Sequence, residues 1–242
     1  MTPLRLRFIL CKVLQREAYL CASRSRNVVD CVLMPQGLHN EPERLRAEVQ
    51  RELNVVQDVQ GRPYDACLLG YGLCSNGVVG LTARIRTVVP RAHDCLTVIL
   101  GSKHAYQRYF DSHRGVYWYT RGWIETGTQP GRERYETTRR QYLEKYGEDN
   151  ADYLMQMEQG WIREYRWATY VDWGLPGADE DKGFTRECAE FLGWSYDCVP
   201  GDPGLLQRLV DGEWDEESFL VLEPGRRIAQ AVAGPEIIKA AD

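Results

Sequence analysis

Short apolar runs alternate with longer charged stretches through the first half of the chain, between about residues 5 and 110. The longer stretches have helical spacing, as where Leu45, Val49 and Leu53 fall on one helix face. The apolar runs are "LRFIL", "VVDCVLMP", "YDACLLGYG" and "RTVVP". Runs without internal polar alternation are typical of parallel strands that are covered on both faces. The pattern therefore predicts a βαβαβαβα unit, that is, a Rossmann-like α/β fold with a mostly parallel sheet and helices on both faces.

The second half is less regular but has the same kinds of element. Four more strands are predicted at "GVYWYT", "RWATYVDWG", "WSYDCVP" and "SFLVLEPG". A long charged region, residues 130–165, is predicted to be helical with a break near Gly147, and further helices are expected at about 180–192 and 203–212. No flexible linker interrupts the sequence. We expect one α/β domain over residues 1–242. If this domain consists of two lobes around a cleft, the expected lobes are residues 1–112 and 113–242.

Composition and charge exclude several classes of function. The net charge is −5 and the two signs are interspersed, whereas nucleic-acid binding needs a basic stripe. No apolar run approaches the ~20 residues of a membrane span. The N-terminus "MTPLRLRFILC" has too few apolar residues for a signal peptide. We therefore expect a cytoplasmic protein that acts on a small molecule, without a nucleic-acid or membrane partner.

Cysteine is frequent, with eight residues at positions 11, 21, 31, 67, 74, 95, 188 and 198. In a reducing compartment these should be thiols, metal ligands or catalytic groups rather than disulfides. No CxxC pair is present, so the strong local zinc pattern is absent. A metal site in this chain must be assembled from distant segments.

Four successive strand ends each carry a soft metal ligand. Cys11 follows the first apolar run, His39 lies just beyond the second, Cys74 follows the third, and His93 and Cys95 follow the fourth. Because the carboxyl ends of parallel strands meet at one edge of a sheet, these residues are expected close together. Three thiolates with one imidazole suit zinc or another thiophilic metal, and His39 and His93 compete for the fourth place.

The other cysteines and histidines are interpreted as structural. Cys31, Cys67 and Cys198 fall inside apolar runs, while Cys21 and Cys188 fall inside helical patterns. Free cysteine is among the most buried residue types, so core packing is the expected role of these five. His104 and His113 are expected to be solvated.

The glycine-rich turn "GYGLCSNGVVG" surrounds one of the candidate ligands. Gly70 and Gly72 permit tight backbone geometry, and Ser75 or Asn76 is placed to cap a following helix. The positive end of that helix would lower the pKa of Cys74 and form an anion pocket, which makes these four residues candidates for cofactor binding. The spacing fits neither GxGxxG nor GxxxxGK[ST], so a dinucleotide or Walker phosphate loop is excluded.

The loop "PRAHDC" carries the candidate catalytic groups. Arg91 is suited to bind a carboxylate or phosphate, and His93 to transfer a proton. Asp94 would orient a histidine or act as a base. The alternative is that Asp94 caps a helix that begins at Cys95, and the sequence does not decide between the two.

The chain resembles the uncharacterised bacterial and archaeal family called domain of unknown function 1638. The resemblance rests on "LGYGLCSNGVVGL", "VVPRAHDC", "LGSKHAY" and "GVYWYTRGWIE", and also on "GLHNEPERLRAEVQ", "EKYGEDNADYLM" and "SFLVLEPG". It implies a neighbourhood of corrinoid-dependent methyltransferases and anaerobic one-carbon metabolism. It also implies that a set of strand-end residues belongs to the family pattern, namely Cys11, His39, Cys74, Arg91, His93, Asp94 and Cys95.

Three functions follow from these observations. The first is an enzyme of methyl-group metabolism with a cysteine-rich metal site, most simply zinc, in which Arg91 anchors an anionic substrate group. The second is a metal- or corrinoid-handling accessory protein without turnover, with a corrinoid protein as partner. The third is a metal-free enzyme in which Cys74 is a reactive thiol.

Overall fold

The computed structural model describes residues 2–231 and 236–242, and these divide into two compact units. The chain up to Tyr106, together with Gly201–Asp242, forms the first unit, and Gln107–Pro200 forms the second. The chain thus leaves the first unit near the expected lobe boundary and returns to it for its last segment. The predicted α/β class is confirmed, since both units contain a sheet with parallel strands.

The first unit is built on a five-stranded sheet. Its strands are β1 (Arg5–Cys11), β2 (Val28–Met34), β3 (Ala66–Gly70), β4 (Thr87–Pro90) and β8 (Phe219–Leu222), in the order β2-β1-β3-β4-β8. The first four are parallel to their neighbours, and β8 is antiparallel to β4. All five strands coincide with the predicted apolar runs.

Helices cover both faces of this sheet. α2 (Pro42–Leu53) lies on one face, where Leu45, Val49 and Leu53 pack with Ile9 of β1 and Leu69 of β3 in one apolar cluster. Neighbouring side chains of a strand point to opposite faces, so the other face is left for α1 (Gln15–Arg24) and α9 (Gly204–Asp211), which contact each other. The predicted helix face at Leu45, Val49 and Leu53 is confirmed, since these residues are at most 1% exposed.

One predicted crossover helix is wrong. Between β3 and β4 the chain forms consecutive turns over residues 74–80 and then irregular backbone. An isolated bridge joins Thr82 to Arg227, which lies in a short antiparallel pair of β9 (Arg227–Gln230) and β10 (Ile238–Ala241). The left-handed backbone of Cys74, Ser75 and Asn76 excludes a right-handed helix at this point. Gly77 allows the turn to lie against α2, because a Cβ there would lie 2.4 Å from a methyl group of Leu45.

The helices after β4 are short. α3 (Cys95–Ile99) and α4 (Lys103–Ser112) replace the single helical stretch predicted there, and Gly101 lies between them with a φ of +77°. A left-handed residue interrupts the helical hydrogen-bond ladder, so the stretch cannot run straight through.

The second unit contains a parallel sheet of β5 (Val116–Tyr119), β6 (Trp167–Asp172) and β7 (Ser195–Pro200), in that order. α8 (Ala178–Leu192) packs against β6 and β7, and α5 (Arg121–Thr126) follows β5. The long charged region forms α6 (Arg132–Tyr146) and α7 (Glu148–Glu158). The predicted break at Gly147 is confirmed, with a φ of +77° at that residue.

The cysteines assigned to the core fall into two groups. Cys21, Cys67 and Cys188 are buried, as expected. Cys31 and Cys198 are only half-buried, because β2 and β7 are edge strands of their sheets. In the described part of the chain, no helix has both the length and the apolar character needed to cross a membrane.

Gly70 allows β3 to lie close to β1, and this can be tested. A Cβ at Gly70 would lie 2.5 Å from the Cβ of Leu10, which is fixed to the backbone of β1. Gly70→Ala should therefore lower the free energy of unfolding by about 1–3 kcal/mol, measured by denaturant titration. Gly183→Ala in α8 is the control, because among the described residues no atom outside the neighbouring helix backbone lies within 4 Å of a Cβ at that position. This substitution should stabilise the protein by about 0.5–1 kcal/mol. Equal effects of the two substitutions would contradict this role for Gly70.

Candidate functional site

The carboxyl ends of β1, β3 and β4 lie side by side at one edge of the first unit's sheet. Cys11 is the last residue of β1, Cys74 lies four residues beyond the end of β3, and Cys95 begins α3 after β4. The sequence expectation that successive strand ends meet at one edge is confirmed by the strand order β2-β1-β3-β4.

Two backbone hydrogen bonds connect the segment of Cys74 to the loop before Cys95. The amide of Leu73 donates to the carbonyl of Ala92 at 2.8 Å, and the amide of Cys74 donates to the carbonyl of His93 at 3.0 Å. Gly72 permits this approach, because a Cβ there would lie 2.6 Å from the amide nitrogen of Asp94 and 2.7 Å from the Ala92 carbonyl oxygen. The glycine of "GYGLC" thus positions one cysteine segment against the other.

The three strand-end cysteines are half-buried, and their thiols interact in one environment that is largely shielded from water. Burial raises the pKa of Cys74 to about 12, and the charges of Asp94 and Cys11 add to this effect. Burial likewise raises the pKa of Cys95 well above its ordinary value of 9, with further contributions from Cys74, Asp94 and Cys11. Burial also raises the pKa of Cys11, against the lowering effect of backbone hydrogen bonds. All three are therefore neutral thiols at pH 7, and each would gain from an added positive charge.

The turn that carries Cys74 has an unusual backbone. Cys74, Ser75 and Asn76 have φ values of 45°, 55° and 65°, so three consecutive residues other than glycine are left-handed. Such residues cost about 1–2 kcal/mol each, and Asn is the one of the three types that tolerates this region best. The turn is closed by the amide of Gly77, which donates to the carbonyl of Cys74 at 3.0 Å. Strain of this kind is concentrated at functional sites.

Two sequence expectations about this turn are wrong. Ser75 and Asn76 cap no helix, since residues 74–80 form turns, and both residues are exposed. With no helix N-terminus beside it, the Cys74 thiol has a raised pKa, where a lowered one was expected. Cys74, Ser75 and Asn76 adopt left-handed backbone where the sequence suggested the start of a helix.

Asp94 caps α3, which is one of the two roles that the sequence left open for it. Its Oδ1 accepts hydrogen bonds from the amide of Thr97 at 2.9 Å and from the hydroxyl of Thr97 at 3.1 Å. Asp94 also acts electrostatically on Cys74 and Cys95. The carboxylate thus has a structural role at the same place where the sequence suggested a base.

The guanidinium of Arg91 donates hydrogen bonds to backbone carbonyls. Its Nε donates to the carbonyl of Glu216 at 2.9 Å, and its Nη1 donates to the carbonyls of Glu236 and Ile238. These bonds hold the segment that leads into β8 and the start of β10. The predicted anion-binding role of Arg91 therefore rests on its second terminal nitrogen alone.

The two candidate histidines lie on the surface. His39 is exposed in a short 3₁₀ turn, Leu38–Asn40, and His93 is exposed in the loop before α3. His113, expected to be solvated, instead stacks on Tyr109 with ring centroids 4.1 Å apart, and its Nε2 lies 3.7 Å from Asp197. His104 is exposed as expected.

Tyr71 is a residue of the site that sequence reasoning missed. It is 3% exposed, and its hydroxyl has no hydrogen-bond partner within the described residues. Burial and the charges of Cys11, Cys74 and Cys95 all raise its pKa, which places the phenol in the environment of the three thiols. Its position inside "GYGLC" was the available clue, since it immediately follows β3 as the predicted ligands follow their strands.

No preformed metal cage accompanies these thiols. Within residues 2–231 and 236–242, no group of three or more His, Cys, Asp or Glu side chains is arranged so that it could hold a metal ion. A groove of about 920 Å³ lies in the second unit, lined by α6 and α8 residues such as Arg132, Phe184 and Phe191, and it contains none of the strand-end residues.

The strain of the left-handed turn can be measured through Ser75. Ser75→Gly should raise the free energy of unfolding by about 1 kcal/mol, because glycine adopts this φ without the steric cost. Ser75→Val should lower it, because a β-branched side chain is disfavoured at positive φ. Denaturant titration of both variants provides the measurement.

The matched control for this experiment is Ser23→Gly, which lies in α1. There the same substitution should cost about 0.5–1 kcal/mol, since glycine weakens a helix. If Ser75→Gly destabilised the protein as Ser23→Gly does, the turn would not be strained.

One family model matches the chain, and its description reads "Protein of unknown function (DUF1638)". The match covers residues 33–210, which include Cys74, Cys95 and the "RAHD" loop and leave out Cys11. No curated protein and no solved structure is similar enough to match.

Proposed function

The chain belongs to the DUF1638 family, and we propose that it binds a thiophilic metal ion, zinc in the first instance, on Cys11, Cys74 and Cys95. The observation that supports this most is the convergence of three half-buried cysteines with the buried phenol of Tyr71 at adjacent strand ends. The hydroxyl of this phenol has no hydrogen-bond partner among the described residues. Three thiolates are a common donor set for zinc, and a fourth position is then left for another ligand.

The chemistry of the donor set fits such an ion. Burial keeps the three thiols neutral, and a bound cation would offset the cost of ionising them. The thiols are not preorganised in a closed cage, so binding would require their side chains to converge further. The strained turn at Cys74 is the element that would adjust, since its backbone has energy to release.

We further propose that this site acts in methyl-group metabolism. The family resemblance to proteins encoded beside corrinoid-dependent methyltransferases supports this context. A thiolate-bound metal with an open position supplies Lewis-acid activation of a substrate sulfur or nitrogen. Cys11, Cys74 and Cys95 would hold the ion, and Arg91 would bind an anionic group through its second terminal nitrogen.

Binding without turnover is the second candidate, and the surroundings of the site favour it. Asp94 is committed to capping α3, Arg91 is committed to carbonyls, and His93 is exposed. A metal- or corrinoid-handling protein needs ligands but no general base. Asp94→Asn keeps a capping side chain. Intact metal binding in this variant, together with no substrate for the wild-type protein among methylated amines or thiols, would favour this role.

The metal-free reading, with Cys74 as a reactive thiol, is the least favoured. A nucleophilic cysteine needs a lowered pKa, and burial raises the pKa of Cys74 to about 12. At pH 7 such a thiol is protonated and reacts slowly.

Metal content tests the proposal directly. Protein purified without oxygen should contain about one zinc, iron or cobalt per chain by elemental analysis, and Cys74→Ala should lose it. Cys67→Ala is the matched control, because Cys67 is a fully buried cysteine of β3 that acts on none of the three thiols. Full retention of metal by Cys74→Ala, or an equal loss in both variants, would overturn the proposal.

Proton release gives a second measurement on the same protein. Because all three thiols have raised pKa values, each should lose its proton only when the ion binds, so about three protons should be released per metal at pH 7. Calorimetric titration in buffers of different ionisation enthalpy counts these protons. Apparent affinity should rise with pH, since fewer protons then need to be displaced.

Tyr71→Phe tests whether the phenol of Tyr71 donates a hydrogen bond to a ligand of the bound metal ion. In the metal-free protein the substitution removes a buried hydroxyl without a partner, so the free energy of unfolding should rise by about 1 kcal/mol. In the metal-loaded protein the phenol would donate to a thiolate or to the fourth ligand, so the metal affinity of the variant should fall several-fold. Unfolding and metal titrations measure the two effects.

Tyr64→Phe is the comparison, because the Tyr64 hydroxyl already donates to Asp30 at 2.8 Å. Its loss should destabilise the protein and leave metal affinity unchanged. A Tyr71→Phe variant that behaved like Tyr64→Phe in both measurements would show that the Tyr71 phenol has a structural role only.

A further inference from the structure

β2 is an edge strand of the first unit's sheet, with β1 as its one partner within the described chain. Its seven residues, "VVDCVLM", include neither proline nor lysine, two residues that commonly protect edge strands from pairing, and Asp30 is its one charged residue. Val28 is 44% exposed, and Val29, Cys31, Val32 and Leu33 are half-buried. The strand therefore presents apolar side chains at an open edge.

The backbone groups on the outer side of β2 can be assigned. The amide of Val28 donates to the carbonyl of Leu4 at 2.8 Å, so Val28 and every second residue after it face β1. The amides and carbonyls of Val29, Cys31 and Leu33 consequently point away from the sheet. No hydrogen bond from the described residues reaches them.

We propose that β2 pairs antiparallel with β2 of a second copy of this chain, about a two-fold axis at Cys31. In this register Cys31 lies opposite Cys31 of the second copy, and Val29 lies opposite Leu33. Because the three outward-facing residues are spaced symmetrically about Cys31, every outward amide and carbonyl finds a partner, in about six hydrogen bonds. The edge is thus complementary to itself.

The charge of β2 is compatible with pairing to a second copy. Asp30 is the one charged residue of β2, and it accepts a hydrogen bond from the Tyr64 hydroxyl at 2.8 Å and lies 4.0 Å from Arg5. In the proposed register Asp30 faces Val32 of the second copy, so no two like charges are directly opposed. The remaining cross-strand pairs are apolar on both sides.

The pairing would join two five-stranded sheets into one continuous sheet of ten strands. Sheets of this size occur in α/β proteins. The arrangement is isologous, since the same residues contribute from both copies, and the closed pair has no free β2 edge left.

Oxidative cross-linking tests the register. Directly opposed residues of a hydrogen-bonded antiparallel pair have Cα atoms about 5.5 Å apart, within the range that a disulfide spans. The full-length protein treated with copper–phenanthroline should give a covalent dimer on a non-reducing gel, and Cys31→Ser should abolish it. Val29→Cys with Cys31→Ser should give none, because the two copies of residue 29 are then about 13 Å apart. Adding Leu33→Cys to that variant should restore the dimer.

Sedimentation velocity provides the test without oxidant. The wild-type protein should form a dimer whose fraction rises with concentration. Cys31→Lys should be monomeric with an unchanged circular dichroism spectrum, because it opposes two ammonium groups at the axis. A wild-type protein that is monomeric at all concentrations would overturn the proposal, and so would a dimer that persists in Cys31→Lys or a covalent dimer of the variant that carries both Val29→Cys and Cys31→Ser.

Discussion

The close passage of Gly72 against the backbone of residues 92–94 is the contact on which the site depends. A side chain at this position would lie within 2.8 Å of three backbone atoms, so the two loops can meet only through a glycine. The meeting allows the hydrogen bonds from Leu73 and Cys74 to Ala92 and His93. These bonds bring a cysteine from the end of β3 towards the one that begins α3. The parallel sheet determines which strand ends are neighbours, and the glycine determines how closely their loops approach.

Burial has opposite consequences for the two chemistries that cysteine offers. It raises the pKa of each strand-end thiol, and this disfavours a nucleophile at neutral pH. The same burial concentrates the effect of a cation, because charges interact more strongly where water is excluded. Tyr71 fits this picture. Its buried hydroxyl has no hydrogen-bond partner among the described residues, which costs free energy that a hydrogen bond to a bound ligand would offset. Of the candidates beside the thiols, in contrast, Asp94 caps α3 and Arg91 binds backbone carbonyls, and both of these roles are structural.

Much of the fold could be predicted, and the failures have specific physical reasons. The apolar runs predicted the strands of the five-stranded and three-stranded sheets but not the short pair of β9 and β10. The spacing of Leu45, Val49 and Leu53 predicted the buried face of α2. The helix expected after Cys74 failed because left-handed turns share their residue types, Ser, Asn and Gly, with helix caps. Cys31 was assigned to the core because an apolar run does not reveal whether its strand lies at a sheet edge. Tyr71 was overlooked because an aromatic residue after a strand is usually packing, and only its unpartnered hydroxyl distinguishes it.

The order of segments along the chain has a consequence for synthesis. The first unit is discontinuous, since α9 and β8 lie after the whole of the second unit. A ribosome therefore releases β1 to β4 long before the helix that packs beside α1 and the strand that completes the β4 edge. The second unit is continuous in sequence and can fold before the last segment of the first unit has been synthesised. A nascent chain of this protein consequently carries an incomplete sheet while about a hundred further residues are synthesised, at ~5–20 residues per second. The unpaired β4 edge is exposed to aggregation during that interval, so we expect chaperone protection to matter most then.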